Sequence, residues 1–257
     1  ETLQNLERMA KLDIHRDDIA AMLEPYYIER GSWESLHRLL ELKLSSTEDE
    51  IDRLDLYKRL ADINLTQLDR RLDGCHWISQ AFRADPEDDG LLVQLEQLSG
   101  EIGEYGALKD TLLSVATGVE EVERKIELWH KAAALLEHQL IEHVQAEEIY
   151  RLILNERPDD SAALQALDRL YLASERFEEL ELIVERQIDA VEFEDDQIGL
   201  LMRLGDLRRD HLDRSDDAVE AYQAVLDIND THRNALSSLA QLHTSAGRFD
   251  ELFDVIR

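Results

Sequence analysis

The sequence predicts an all-α fold, a right-handed α-solenoid (superhelix) of stacked antiparallel helix pairs, on three observations. The 257 residues include three prolines and ten glycines, are 44% apolar, and are dominated by Leu, Ala, Glu, Asp and Arg; that composition favours helix and leaves little room for the turns of an all-β fold. An aromatic residue following a turn recurs every 72 residues, at Trp33, Tyr105, Phe177 and Phe249, and a fixed period of this length marks a repeat architecture. Inside each period apolar residues return at spacings of three and four, as in Leu92, Leu95, Leu98 and Leu164, Leu167, Leu170, which places them along one stripe of a helix.

The first element carries Ile19, Leu23 and Tyr26, which fall on Leu91, Leu95 and Leu98 one period later, so residues 1-32 read as the tail of an earlier unit. Pro25 lies in that stripe and, lacking an amide proton, is expected to kink or break the helix near Glu24. Full units then run over 33-104, 105-176 and 177-248, and 249-257 opens a further one. Each starts from a similar context: Gly31-Ser32-Trp33, Gly103-Glu104-Tyr105, Glu175-Arg176-Phe177, Gly247-Arg248-Phe249. These aromatics are expected to be core wedges between helix pairs, with Phe177→Ala costing about 3–5 kcal/mol. Later in each unit Ile78, Tyr150 and Tyr222 superpose, and then Leu95, Leu167 and Leu239. Between the stripes lie Asp85-Pro86-Glu87-Asp88, Arg157-Pro158-Asp159-Asp160 and Asn229-Asp230-Thr231-His232, where proline or aspartate can open a helix and cap its free amides. Each unit therefore holds about four helices in two antiparallel pairs. The chain, 1-257, reads as a single repeat array cut from a longer one.

At this point a resemblance can be named. Leu201, Leu204 and Gly205 followed by Ala218 and Tyr222 resemble the tetratricopeptide repeat (TPR) pattern of a Leu-Gly helix followed by Ala, an aromatic and Pro. Trp129, Ala132 and Ala133 before Ala146, Tyr150 and Pro158 repeat it, as do Tyr57, Leu60, Ala61, Gly74, Ile78 and Pro86. About one extra residue separates the paired helices. The alternate motif is more divergent, with Leu92, Leu95, Gly103, Leu108 and Leu112 in place but Glu96 where the family has a small residue. Motif spacing alternates at about 35 and 37 residues, so the two-motif unit is the true period.

In that family the first helix of each pair lines a concave groove. The resemblance therefore implies a partner-binding wall of Asp55, Lys58, Asp62, Glu127, His130, Ala134, Met202, Asp206 and Arg209. Relatives that grip a C-terminal carboxylate use groove Lys and Asn; Asp62, Ala134 and Asp206 occupy the Asn positions here, so that clamp is not expected.

Charge and residue usage limit the function classes. With 58 acidic against 28 basic residues and a net charge of −30, a phosphate-neutralising groove is excluded for the chain as a whole, and with it nucleic acid or an anionic membrane surface as partner. A basic protein or peptide partner is compatible, although a solvated acidic surface also serves solubility alone. The single cysteine, Cys75, rules out an internal disulfide framework. No apolar run approaches membrane-spanning length, so direct membrane insertion is not expected, and a cytoplasmic protein is the expectation.

Catalytic and cofactor chemistry find no seat. His138 and His143 are five apart, on different helix faces, so no metal is expected. Gly100, Gly103 and Gly106 straddle an interhelical turn without a preceding strand, which excludes a phosphate loop. The carboxylate pairs Glu120-Glu121 and Asp216-Asp217 stand at helix starts, where they favour the helix dipole. The expectation is a non-enzymatic, cofactor-free interaction scaffold; the alternative is a structural spacer or self-assembling segment, joined through open solenoid ends such as Phe249 to Arg257.

Overall fold

The computed structural model describes residues 16–251, and among these every regular element is a helix. The helices are α1 (Arg16–Glu29), α2 (Trp33–Leu44), α3 (Glu50–Thr66), α4 (Arg71–Ala84), α5 (Asp89–Ile102), α6 (Tyr105–Gly118) and α7 (Val122–His138). They continue with α8 (His143–Glu156), α9 (Ser161–Ala173), α10 (Phe177–Ala190), α11 (Glu194–Asp210), α12 (Ser215–Ile228) and α13 (Arg233–Ser245). The chain divides into two compact units, residues 1–140 with α1 to α7 and residues 141–257 with α8 to α13. Within each unit every helix packs on the next in the chain, and in the first unit α4 also packs on α6.

The 72-residue period is visible as helix boundaries. The long helices α3, α7 and α11, 17 residues each, start at Glu50, Val122 and Glu194; their partners α4, α8 and α12, 14 residues each, start at Arg71, His143 and Ser215. The turns repeat as well. Gly31, Gly103, Glu175 and Gly247 are left-handed, with φ of 63°, 79°, 55° and 67°, because each ends a helix where the chain must reverse before the next aromatic. A second left-handed series, Asp69, Ile141 and Asp213 (φ 52°, 58° and 59°), follows the long helices; Asp69 reverses the chain between α3 and α4, and Asp213 between α11 and α12. Asp88 and Asp160 cap α5 and α9 by accepting from the amides of Leu91 and Ala163, and His232 caps α13 through Nδ1.

Stripes at spacings of three and four become the core. Leu60, Ile78, Ala81, Phe82, Leu95, Leu112 and Ala116 are sealed in the first unit; Ile153, Leu167, Val184, Tyr222 and Leu239 are sealed in the second. Each large apolar side chain taken from water yields about 1.5–3 kcal/mol, so stability accumulates between neighbouring helices.

Ion pairs follow the same period. Arg59 on α3 pairs with Glu24 on α1, Lys131 on α7 with Glu96 on α5, and Arg203 on α11 with Asp168 on α9. The Lys131 Nζ to Glu96 Oε1 distance is 2.7 Å. The Glu96 departure from the TPR pattern is thereby explained: the position is acidic at Glu24, Glu96 and Asp168, where the next hairpin presents a cation to it, and is the small residue Ala240 in the last instance.

Three sequence expectations need correction. The aromatics at the period starts are not core wedges: Trp33, Tyr105 and Phe177 are only half-buried and Phe249 is 68% exposed. As the first residues of their helices, they rest on a turn rather than face the interior; the buried anchors lie three residues on, at Leu36, Leu108 and Leu180. Phe177 stacks on His211 with centroids 4.1 Å apart. Helix α1 runs through Pro25 to Glu29 rather than breaking near Glu24; Pro25 and Ala21, whose carbonyl loses its amide partner, are both exposed, so the free carbonyl is open to solvent. Finally Tyr27, and not Tyr26, completes the buried face of α1.

Two substitutions test this account. Leu180, 1% exposed, should lose about 2–5 kcal/mol on conversion to Ala, and half-buried Phe177 about 1–2 kcal/mol; urea melts giving the reverse order would restore the aromatics to the core. Ile141 is a β-branched residue in a left-handed turn and 63% exposed, so Ile141→Asn should stabilise by about 1 kcal/mol. A lower denaturation midpoint for that variant would show that the side chain contributes more than the strain costs.

Candidate interaction surface

Residues three, four and seven apart on a helix share a face, and α3 places Asp55, Lys58 and Asp62 together on its exposed side. Lys58 Nζ donates to Asp88 Oδ2 at 2.9 Å, while Asp55 lies 3.9 Å from Arg59. The Lys58 hydrogen bond, followed by the Leu91 amide, holds the Asp88 carboxyl below the usual carboxylate range. Lys58, Asp62, Asp88 and Leu91 line a cleft of about 300 Å³ between α3 and α5.

On α7, Glu127 is exposed, and His130 and Ala134 are half-buried. Glu127 Oε2 accepts from Arg124 at 2.7 Å. The same buried guanidinium bonds Asp89 and the Pro86 carbonyl, at 2.9 Å and 2.8 Å. Glu127 therefore helps to anchor α7 on the start of α5.

On α11, Met202 packs against the α12–α13 core, and Asp206 and Arg209 turn toward α12. The Tyr222 hydroxyl donates to Asp206 Oδ1 at 2.7 Å and accepts from Arg209 Nη1 at 2.9 Å, and Arg209 reaches Asp206 at 3.0 Å. Gly205 admits the ring: a Cβ there would lie 2.5 Å from Tyr222 Cε1. Burial, then the hydrogen bond to Asp206, push the Tyr222 phenol up from its ordinary value near 10. The Asp210 hydrogen bond holds Arg209 protonated, and Arg209 in turn lowers the Asp210 carboxyl. This network braces the α11–α12 hairpin.

The structure thus brings Lys58 and Asp62 to one cleft and Asp206 and Arg209 to one buried hydroxyl. Sequence reasoning did not find a larger cleft, about 600 Å³, bounded by α9, α10 and α11. Its floor includes Leu164, Val191 and Leu200, and its rim Asp159, Asp195 and Asp196. A signal was present: Gly199 stands one period after Glu127 and two after Asp55, and a side chain missing at a groove offset opens space. Among the described residues no group of three or more His, Cys, Asp or Glu is placed to hold a metal ion, and no helix is long and apolar enough to cross a membrane.

No protein-family model matches the chain, and no curated protein sequence does. Solved structures do. A chain of the Naa15/Naa10 complex bound to HypK-THB is 16% identical, covering 93% of this chain and 36% of that one, at a TM-score of 0.43. MamA 41-end from Desulfovibrio magneticus RS-1 is 16% identical over 70% of this chain and 97% of its own, at 0.38. YrrB, described as a TPR protein with an unusual peptide-binding site, is 14% identical over 76% of this chain and 93% of its own, at 0.39. The fold is all-α, with consecutive helices joined by short turns and packed on one another within each unit.

The Tyr222 network makes a pH prediction with a definite sign. Unfolded Tyr222 ionises near 10 while the folded protein holds the proton, so its contribution is complete below that pH and is lost as pH rises toward the folded value. Urea melts between about pH 9 and 11 should show the alkaline loss in wild type and a shallower loss in Tyr222→Phe; equal slopes would remove Tyr222 from that role.

Proposed function

We propose that this protein is a non-catalytic scaffold that binds partner proteins or peptides through the exposed faces of its first helices, principally α3, α7 and α11. The observation that carries the reading is variation laid over constant anchors. Buried positions Leu60, Ala132 and Leu204 stay apolar from unit to unit, while the groove offset two residues earlier passes from Lys58 to His130 to Met202. A face that changes chemistry at each repeat on an unchanging support is what recognition of an irregular partner needs.

The net charge of −30 favours a basic partner over nucleic acid or an inserted membrane segment, and the reading takes the cytoplasm as the compartment. The whole chain acts as one array in this proposal, since the period runs from α7 to α11 without a change of phase. The uniform helix boundaries equally favour a second reading, a spacer that associates end to end. Its proposed contact, Phe249 to Arg257, lies outside the described residues from 252 onward.

Selection of random peptides against the full chain separates the two. The scaffold reading expects a saturable set whose affinity falls about tenfold on Lys58→Glu with Asp62→Lys. Failure to enrich any peptide, with a sedimentation coefficient that climbs with concentration, would favour the spacer.

A further inference from the structure

We propose that the cleft bounded by α9, α10 and α11 receives an arginine or lysine side chain from an extended basic segment of a partner protein. The inference rests on the scaffold reading and deepens it, because it assigns a pocket outside the groove wall and a partner chemistry.

Shape is the first argument. Gly199 lines the cleft where α7 has Glu127 and α3 has Asp55, and a Cβ built on Gly199 meets no atom within 4 Å. The missing side chain leaves a space of about 600 Å³ over an apolar floor of Leu164, Val191 and Leu200. The aliphatic stem of a long cationic side chain covers such a floor while its head stays at a polar rim.

Charge is the second. Of the four aspartates lining the cleft, Asp168 is neutralised by Arg203, whose Nη2 donates to Asp168 Oδ1 at 2.6 Å. Asp159, Asp195 and Asp196 are exposed and make no ion pair among the described residues. Three uncompensated carboxylates around one opening select a cation. Asp195 and Asp196 lie in the first turn of α11, the end of the helix whose dipole favours negative charge. The third argument is an orphan acceptor: Gln187, on the same wall, has a buried Oε1 with no hydrogen-bond partner. Rotation about its terminal torsion, which is soft, offers that oxygen to a guanidinium or ammonium donor. An anionic segment is repelled from this rim, and a purely apolar one leaves both the carboxylates and Gln187 unanswered.

The test uses the full chain and a fluorescein-labelled peptide alternating alanine with arginine, read by anisotropy at physiological salt, beside a citrulline version that keeps the shape and removes the charge. Wild type should bind the arginine peptide and not the citrulline one. Asp195→Asn with Asp196→Asn should weaken binding about tenfold or more, while the charge-matched Glu120→Gln with Glu121→Gln, in the other unit, should change it less than about twofold. Gly199→Met should abolish binding while raising the thermal midpoint, since it fills open space and removes a helical glycine. Cleft variants that bind like wild type, or a control that weakens binding as much as they do, would overturn the inference. Peptides obtained by random selection that still bind those variants would leave the scaffold reading standing; loss of binding to every peptide in wild type would end both.

Discussion

A helix hairpin in this protein has more apolar surface than its own two helices can cover, and the structure depends on the next hairpin covering the remainder. Leu60, Phe82, Leu112 and Val184 are sealed from solvent although their own helices are only 14 to 17 residues long. Such helices are marginal alone in water, so their stability comes from stacking. That requirement explains why boundaries, caps and left-handed turns recur together: a hairpin out of register would present its stripe to a neighbour that could not bury it.

The acid-base pairs Glu24–Arg59, Glu96–Lys131 and Asp168–Arg203 are a second expression of the same constraint. Each joins the first helix of one hairpin to the first helix of the next, and each repeats at the interval of the apolar stripes. Partly exposed pairs of this kind add little stability individually. Their geometric value is greater, because a register shift of one residue at a junction separates the pair that joins it. Glu96, which departs from the TPR pattern, matches Glu24 and Asp168 in this chain's own two-hairpin unit.

The same economy shapes the surface available for recognition. Polar residues on the first helices are drawn inward wherever a neighbour offers a partner, as Tyr222 does for Asp206 and Arg209 and as Arg124 does for Glu127. What remains for a ligand is where packing leaves a vacancy, and one such cleft lies beside Gly199, which supplies no side chain. In the proposed reading, recognition depends on omissions in the repeat as much as on the residues that vary along it.

By itself the sequence determined the helical class, the 72-residue period, the caps at Asp88 and Asp160 and the identity of most core leucines, because these depend on spacings of three and four and on local turn chemistry. Its single cysteine also excluded an internal disulfide framework. Which side of a first-turn aromatic faces the core was decided only by tertiary structure, since Phe177 at the helix start rests on His211 while Leu180 three residues on points inward. The same holds for the groove list: helical spacing puts Asp206 and Arg209 on the family's binding face, but the absent side chain of Gly205 lets the Tyr222 ring approach from the next helix and claim them. Spacing along one helix is a local property, whereas the partner of a long polar side chain depends on what a second helix brings within about 3 Å.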